Sequence, residues 1–222
     1  GGIYFLEYES GRFAETGRVK LFSRHPQMAT TVDSTEQFHH KSMKLLFDKT
    51  ETGIAMTVDA RKLAGKPFHA EIAIQCPAAM ESLNVVVPWS QQRFQFTSKQ
   101  ECLPAKGALT WGEEQFTFPS GTSFACLDFG RGLWPYRTTW NWASFSGHSG
   151  SDVVGINMGA KWTDGTGANE NGILLNGRLH KIHEDIIFDY DNKDFMRLWR
   201  MTTASSDTVQ LEFTPFYEKK GN

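Results

Sequence analysis

The sequence predicts an all-β protein, built as an antiparallel barrel or a sandwich. Three observations predict this class: apolar residues recur with a period of two in many short segments, turn-forming dipeptides separate these segments, and few stretches show a helical period. Many short strands with little helix are typical of antiparallel barrels and sandwiches.

The period of two is clearest in 208–213, where polar and apolar side chains alternate as they do in a strand that is buried on one face. In 69–75, Ile72 and Ile74 likewise share one face. Further strands are predicted, in chain order, at 54–58, 83–87, 93–96, 115–118, 124–127, 153–158 and 186–190.

Turns and helices are predicted from local chemistry. The dipeptide Asn176-Gly177 is one that a type I′ hairpin turn prefers, and Asp164-Gly165 also predicts a turn. A helix is predicted at 35–47, of which 41–47 fits a strand almost as well, and one short helical turn is predicted within 191–199.

Composition bounds the function classes. The 222 residues are 40% hydrophobic and 22% charged, which predicts one globular domain over 1–222 with a motif-rich core at 121–218. The net charge of −2 argues against nucleic-acid binding, and no apolar run approaches the roughly 20 residues of a membrane helix.

Three scattered cysteines favour a reducing compartment, and hence the cytoplasm, and exclude a zinc site built on paired CxxC ligands. Because the chain opens on Gly1-Gly2 without a methionine, we interpret it as an N-terminally truncated fragment.

A segment rich in glycine and tryptophan begins the functional argument. Residues 121–177 hold 11 of the 20 glycines and four of the seven tryptophans. If 138–143 is extended, Trp140 and Trp142 share one face and form an apolar wall. Aromatic walls with a few convergent polar groups describe a small-molecule pocket. The alternative is structural, because tryptophans also bury well in an ordinary core.

Four runs in this half of the chain carry a family resemblance: DFGRGLWPYRTTWNWAS, GINMGAKWTDGTGANENG, GRLHKIHEDIIFDYD and LEFTPFYEK. With them the chain resembles the bacterial and fungal domain of unknown function 2804 family, closely over 125–218 and more loosely before it. It departs from the family pattern at Phe129 and Leu198, where the family has Trp and Pro. The resemblance implies a longer full chain. It also implies a distant, calycin-like similarity of fold to carotenoid hydratases and tocopherol cyclases, which has little functional weight.

Candidate site residues follow from the polar groups around the tryptophans. Carboxylates whose pKa is raised by apolar surroundings serve as general acids and bases, so the candidate catalytic residues are Asp128, Asp164 and Glu170. The candidate ligand-binding residues are Arg131, Trp134, Tyr136, Arg137, Trp140, Asn141, Trp142, Trp162, Asn169, Asn171 and His180. For Asp164 the alternative is a turn aspartate that precedes a glycine.

Neither a metal site nor a cofactor is predicted. His180 and His183 point to opposite faces if their segment is a strand. Gly165 and Gly167 lack the third glycine of a dinucleotide-binding fingerprint.

Two function classes stay open. The first is a binding module that holds a hydrophobic or amphipathic small molecule without changing it. The alternative is a cofactor-free acid–base enzyme of the hydratase, isomerase or cyclase type, in which indole faces stabilise a cationic centre. A carbohydrate-binding or carbohydrate-active protein is a lesser alternative, and a purely structural role is the last.

Overall fold

The computed structural model describes residues 1–19 and 29–220, and in these residues the chain forms β-strands and turns without a helix. The prediction of an all-β, antiparallel fold is therefore confirmed. In chain order the strands are β1 (Gly2–Glu7), β2 (Arg12–Gly17), β3 (Glu36–His40), β4 (Met43–Lys49), β5 (Gly53–Leu63), β6 (Lys66–Gln75), β7 (Leu83–Pro88), β8 (Phe94–Trp111), β9 (Glu114–Phe118), β10 (Phe124–Gly132), β11 (Asn141–Ser149), β12 (Asp152–Ala160), β13 (Gly172–Leu175), β14 (Arg178–Lys181), β15 (Ile186–Asp189), β16 (Trp199–Thr203) and β17 (Gln210–Phe213).

The chain divides into two compact units that are interleaved in sequence. Unit 1 consists of Gly1–Met80 and Leu103–Ala125, and unit 2 consists of Glu81–Cys102 and Cys126–Asn222. Strands β8 and β10 therefore contribute residues to both units. The prediction of one domain over 1–222 stays a prediction.

Unit 1 is a hairpin packed on a larger sheet. The hairpin is β1–β2, and the sheet contains β3, β4, β5, β6, β9 and the later part of β8. Ile3 and Ala14 of the hairpin belong to the same buried apolar cluster as Val58, Phe68 and Trp111 of the sheet. Alternate residues of each strand therefore supply the core, as the period of two requires.

The helix predicted at 35–47 is wrong. This segment forms β3 and β4, which pair in antiparallel register with Phe38 opposite Leu45. The buried side chains of β4, Met43 and Leu45, are two residues apart, which is the period of a strand. Residues 191–198 form successive turns rather than a helix, with hydrogen bonds from Asp194 N to Asp191 O and from Arg197 N to Asp194 O, each of 3.2 Å, and Trp199 begins β16.

Unit 2 contains three layers of strands. The first is β7 with the adjoining parts of β8 and β10, the second is the sheet β11-β12-β13-β14, and the third is the sheet β15-β16-β17. The second and third layers enclose an apolar core that includes Met158, Ile186 and Met201. The opposite face of the second layer is polar, and its residue Ser144 donates a hydrogen bond of 2.9 Å to Glu101 of β8.

None of the sheets formed by the described residues closes into a barrel, because each has an open strand order. Of the two predicted architectures, the layered sandwich fits the chain and the barrel does not.

Candidate functional site

A cleft of about 300 Å³ opens in unit 2 beside the polar face of the second layer. Strands β8, β10 and β11 supply part of its lining, and the connections 133–140 and 161–171 supply the rest. The lining residues are Gln95, Thr97, Lys99, Asp128, Trp134, Trp140, Trp142, Trp162 and Glu170. Four indoles and three ionisable side chains therefore face the same space.

The indole rings are held by stacking and by their own N–H groups. Trp134 and Trp162 stack with their ring centroids 5.5 Å apart, and Trp89 packs on both rings. Trp134 Nε1 donates to Gln95 Oε1 at 2.7 Å, and Trp142 Nε1 donates to Asn157 Oδ1 at 2.8 Å. Such bonds fix the orientation of the rings, so these aromatic walls are preformed.

Lys99 forms the charged centre of the cleft. Its Nζ lies 2.8 Å from Asp128 Oδ2 and 3.3 Å from Glu170 Oε2. The same nitrogen lies 4.7 Å from the ring of Trp142, within the range of a cation–π contact. Only 7% of the Lys99 side chain is exposed, so this ammonium has exchanged water for two carboxylates and an indole face.

Glu170 is the most buried ionisable group of the cleft. Its Oε1 accepts a hydrogen bond of 2.7 Å from Trp162 Nε1, and its buried Oε2 faces the Lys99 ammonium at 3.3 Å. Burial raises the pKa of this carboxyl, and the nearby charge of Asp128 adds to the rise. Lys99 and the Trp162 hydrogen bond oppose the rise without cancelling it.

The backbone around Glu170 is clamped by buried polar contacts. A methyl group at Gly159 of β12 would overlap the Glu170 carboxyl, so the glycine permits this close approach. The Asn171 amide accepts from Gly159 N at 2.8 Å and donates to Glu184 O at 3.0 Å. Lys181 Nζ donates to Asn169 Oδ1 and, at 3.1 Å, to Asn171 O. The residues on both sides of Glu170 therefore hold it in place.

A second buried carboxylate, Glu101, lies two residues beyond Lys99 on β8. Ser144 and Ser146 donate hydrogen bonds to its two oxygens at 2.9 and 3.0 Å. The Cys126 thiol donates to Oε1 over 3.4 Å. Burial raises the pKa of Glu101 in spite of these three donors, and burial also raises the pKa of Cys126 to about 12.

The structure brings six of the sequence-predicted residues together at the cleft. They are Asp128, Trp134, Trp140, Trp142, Trp162 and Glu170. Trp140 and Trp142 line the same cleft, as the predicted alternation requires, and Asn141 between them donates instead to Tyr190 OH at 3.3 Å.

The remaining predicted residues lie outside the cleft lining. Asp164, predicted to be catalytic, is exposed in a turn, where its Oδ1 accepts from Lys161 N at 3.1 Å. This is the turn role given above as its alternative. Asn169 and Asn171 are buried and bind main-chain groups rather than facing the cleft. The others are exposed: Arg131, Tyr136, Arg137 and His180.

The sequence prediction missed Gln95, Thr97, Lys99 and Glu101. They follow one another at every second position of β8, and all four are buried. Phe94, which alternates with them, is 45% exposed. Charged and amide side chains on one face of a strand ordinarily predict that this face is exposed to water. The sequence of β8 therefore predicts the reverse of the orientation that the strand has in the structure.

Metal-binding and membrane-spanning features were sought in residues 1–19 and 29–220. Within these ranges there is no group of three or more His, Cys, Asp or Glu side chains placed to hold a metal ion. The same ranges contain no helix long and apolar enough to cross a membrane.

A family model supplies the classification. The model described as "Domain of unknown function (DUF2804)" matches residues 1–222. The chain belongs to this family. The predicted DUF2804 resemblance is thus confirmed, and the calycin-like similarity stays a prediction. No curated protein and no solved structure matches this DUF2804 chain.

Proposed function

We propose that this DUF2804 protein binds an amphipathic small molecule in the tryptophan-lined cleft. The observation that supports the proposal is the convergence of four indoles on one buried charged centre, Lys99 with Asp128 and Glu170. The indoles offer an apolar surface to the body of the ligand, and the charged centre offers hydrogen bonds to its polar group. Concave apolar sites with a few placed polar groups are the usual form of a ligand pocket.

The exposure of the indoles supports this occupancy. Trp140 is 60% exposed and Trp142 is 43% exposed, although both line a concave surface. Large aromatic side chains are ordinarily buried in a monomer, and an exposed apolar patch marks a binding surface. A ligand of this cleft would cover these rings.

Naphthalene-type probes test the proposal, because they match the apolar surface and can be followed by quenching of tryptophan fluorescence. We expect 2-acetylnaphthalene to bind the wild-type protein, and Trp140→Leu to weaken binding roughly tenfold because one aromatic wall is lost. Phe145→Leu is the control, since Phe145 is an exposed aromatic residue of β11 on the face away from Trp142. Failure of the probe to bind, or equal affinity in Trp140→Leu and wild type, would contradict the proposal.

An acid–base enzyme is the second candidate, favoured by the two carboxyl groups that flank one lysine in the cleft. Here Glu170 supplies a proton and Asp128 stabilises the charge on Lys99. Small molecules from a cell extract, incubated with the protein and compared by mass spectrometry, would reveal a substrate that disappears. We expect Asp128→Asn to abolish the disappearance of this substrate. Asp164→Asn, which lies outside the cleft, should leave the disappearance of the substrate unchanged. If Asp164→Asn were as damaging as Asp128→Asn, the chemistry would not belong to this cleft.

A further inference from the structure

The cleft offers a ligand much less polar surface than the identity of its lining residues suggests. Besides the indoles, its lining contains five polar side chains: Gln95, Thr97, Lys99, Asp128 and Glu170. Four of these five are buried. Asp128 is the exception, because 43% of its side chain is exposed. A ligand in the cleft therefore meets the indole rings and the carboxyl group of Asp128.

The buried charged groups are engaged with one another. Both oxygens of Glu170 face donors, Trp162 Nε1 at 2.7 Å and Lys99 Nζ at 3.3 Å. Lys99 Nζ contacts Glu170, Asp128 and the ring face of Trp142. Because an ammonium has three N–H bonds, these three contacts account for its donors. Glu170 and Lys99 therefore keep their hydrogen bonds within the protein.

Most of the indole N–H groups of the cleft are engaged in the same way. Three of the four lining indoles donate to side-chain acceptors of the protein, and these are Trp134, Trp142 and Trp162. These three side chains therefore offer a ligand the apolar faces of their rings rather than a hydrogen-bond donor.

The Asp128 carboxylate, in contrast, has acceptor sites that the protein does not use. The two oxygens of a carboxylate provide about four lone-pair sites. Oδ2 accepts from Lys99 Nζ at 2.8 Å, and Oδ1 accepts from Thr97 Oγ1 over 3.4 Å, a long hydrogen bond. The remaining sites belong to the exposed part of the cleft. A carboxylate accepts hydrogen bonds and donates none, so a ligand satisfies these sites only with a donor.

We propose that Asp128 anchors the ligand of the cleft, and that the polar group of this ligand is a hydrogen-bond donor, namely a hydroxyl or an amine. The inference rests on the proposed function, because it assigns the polar group of the ligand of that cleft. The donor binds the Asp128 carboxylate, and the apolar body of the ligand covers the exposed rings of Trp140 and Trp142. An anionic ligand is excluded by repulsion from Asp128.

Two naphthalenes of nearly equal size test the proposal in the wild-type protein. 2-(Hydroxymethyl)naphthalene has a donor, and 2-ethylnaphthalene has a methyl group in its place. We expect the hydroxymethyl probe to bind about tenfold more tightly in fluorescence titrations, because hydrogen bonds to charged groups are among the stronger ones. 2-Acetylnaphthalene, which only accepts hydrogen bonds, should bind no more tightly than the ethyl probe.

A fourth probe, 2-(aminomethyl)naphthalene, distinguishes the two donor classes, because it is a cation at neutral pH. Tighter binding of this probe than of the hydroxymethyl probe would identify the ligand as an amine. Weaker binding, with the hydroxymethyl probe still preferred over the ethyl probe, would identify it as an alcohol.

Substitution of Asp128 tests the anchoring residue. Asp128→Asn replaces the carboxylate by an uncharged amide, so we expect the hydroxymethyl probe to lose most of its advantage while the affinity of the ethyl probe stays within about twofold. Asp164→Asn is the matched control, because it removes an exposed carboxylate outside the cleft and should preserve the advantage. If Asp128→Asn fails to fold, the comparison of probes in wild type still decides.

The outcomes separate this assignment from the proposed function. Equal binding of the hydroxymethyl and ethyl probes to wild type would overturn the assignment and leave the proposed function intact. An advantage that survives in Asp128→Asn would also overturn it, since the donor would then contact another group. If none of the four probes binds, the assignment and the proposed function fail together.

Discussion

Asn171 is fully buried, and both ends of its amide are used by the main chain. Its oxygen accepts from Gly159 N and its nitrogen donates to Glu184 O. A buried amide is tolerated when its hydrogen bonds are made, and it is costly when they are lost. Asn171 therefore belongs to the framework that holds Glu170, although the sequence suggested a ligand contact.

Substitution of Asn171 tests this role. Asn171→Ala leaves the Gly159 N–H and the Glu184 carbonyl without their partners, and we expect it to lower the free energy of unfolding by about 2 kcal/mol or more. Asn84→Ala is the control, because Asn84 is exposed and bonds only locally, to Ser82. Urea denaturation of both variants measures the difference. If Asn171→Ala lost no more stability than Asn84→Ala, the hydrogen bonds of Asn171 around Glu170 would not stabilise the fold.

The site residues that the sequence predicts are those whose positions follow from their spacing within one short segment. Trp140 and Trp142 follow from spacing in an extended segment. Lys99 could not be predicted, because a lysine on a strand ordinarily faces water, and its burial depends on Asp128 and Glu170, which are distant in sequence. The proximity of Asp164 to tryptophans in the sequence predicts a catalytic role, whereas the turn before Gly165 sets its position in the structure.

Turns are the elements that sequence predicts best here. Asn176 and Gly177 adopt φ angles of 50° and 83° and join β13 to β14. Both values are positive, as a type I′ turn requires, so this prediction is confirmed. The helix predicted at 35–47 was wrong because pairing with a neighbouring strand outweighed a weak local preference.

Substitution of Gly177 tests the geometry of this turn. Gly177→Ala places a side chain at a left-handed φ, and we expect a loss of about 1 kcal/mol in the free energy of unfolding. Gly17→Ala is a suitable comparison, because a methyl group there meets its nearest neighbour at 3.9 Å, an ordinary contact. Thermal or urea unfolding of the two variants checks this, and equal stability would exclude strain at Gly177.

Strand β12 buries a polar side chain on one face of its sheet and an apolar side chain on the other. Met158 packs against the third layer of unit 2, whereas the adjacent Asn157 accepts from the Trp142 indole on the opposite face. An alternation of apolar and polar residues predicts a sheet with one wet face. The alternation at 153–158 therefore predicted β12, but it could not show that Asn157 on the polar face is buried.

At the scale of the whole molecule, the buried acids make stability depend on pH. Burial raises the pKa of both Glu101 and Glu170 above 4.5, their ordinary value. The folded chain then binds more protons than the unfolded chain, so these groups stabilise the fold fully below that value, and the stabilisation is lost as pH rises through the raised pKa. Glu114 acts in the opposite sense and at lower pH, since Arg12 and Lys66 lower its pKa to about 2.

We therefore expect the stability of unit 2 to fall as pH rises above 4.5, and Glu101→Gln and Glu170→Gln each to reduce this slope. Tryptophan fluorescence during urea unfolding follows unit 2, which holds six of the seven tryptophans. A slope that persists undiminished in both glutamine variants would mean that neither acid is protonated in the folded chain.

The interleaving of the two units bears on how the chain folds as it leaves the ribosome. The stretch Glu81–Cys102 belongs to unit 2 but is synthesised before unit 1 is complete and well before β11 and β12. An apolar strand exposed for that interval would invite aggregation. Only β7 of this stretch buries large apolar side chains, Leu83 and Val87, whereas the buried side chains of its β8 part include the polar Gln95, Thr97, Lys99 and Glu101. We expect these polar side chains, Lys99 of the charged centre among them, to limit aggregation of β8 while its partner strands are still being synthesised.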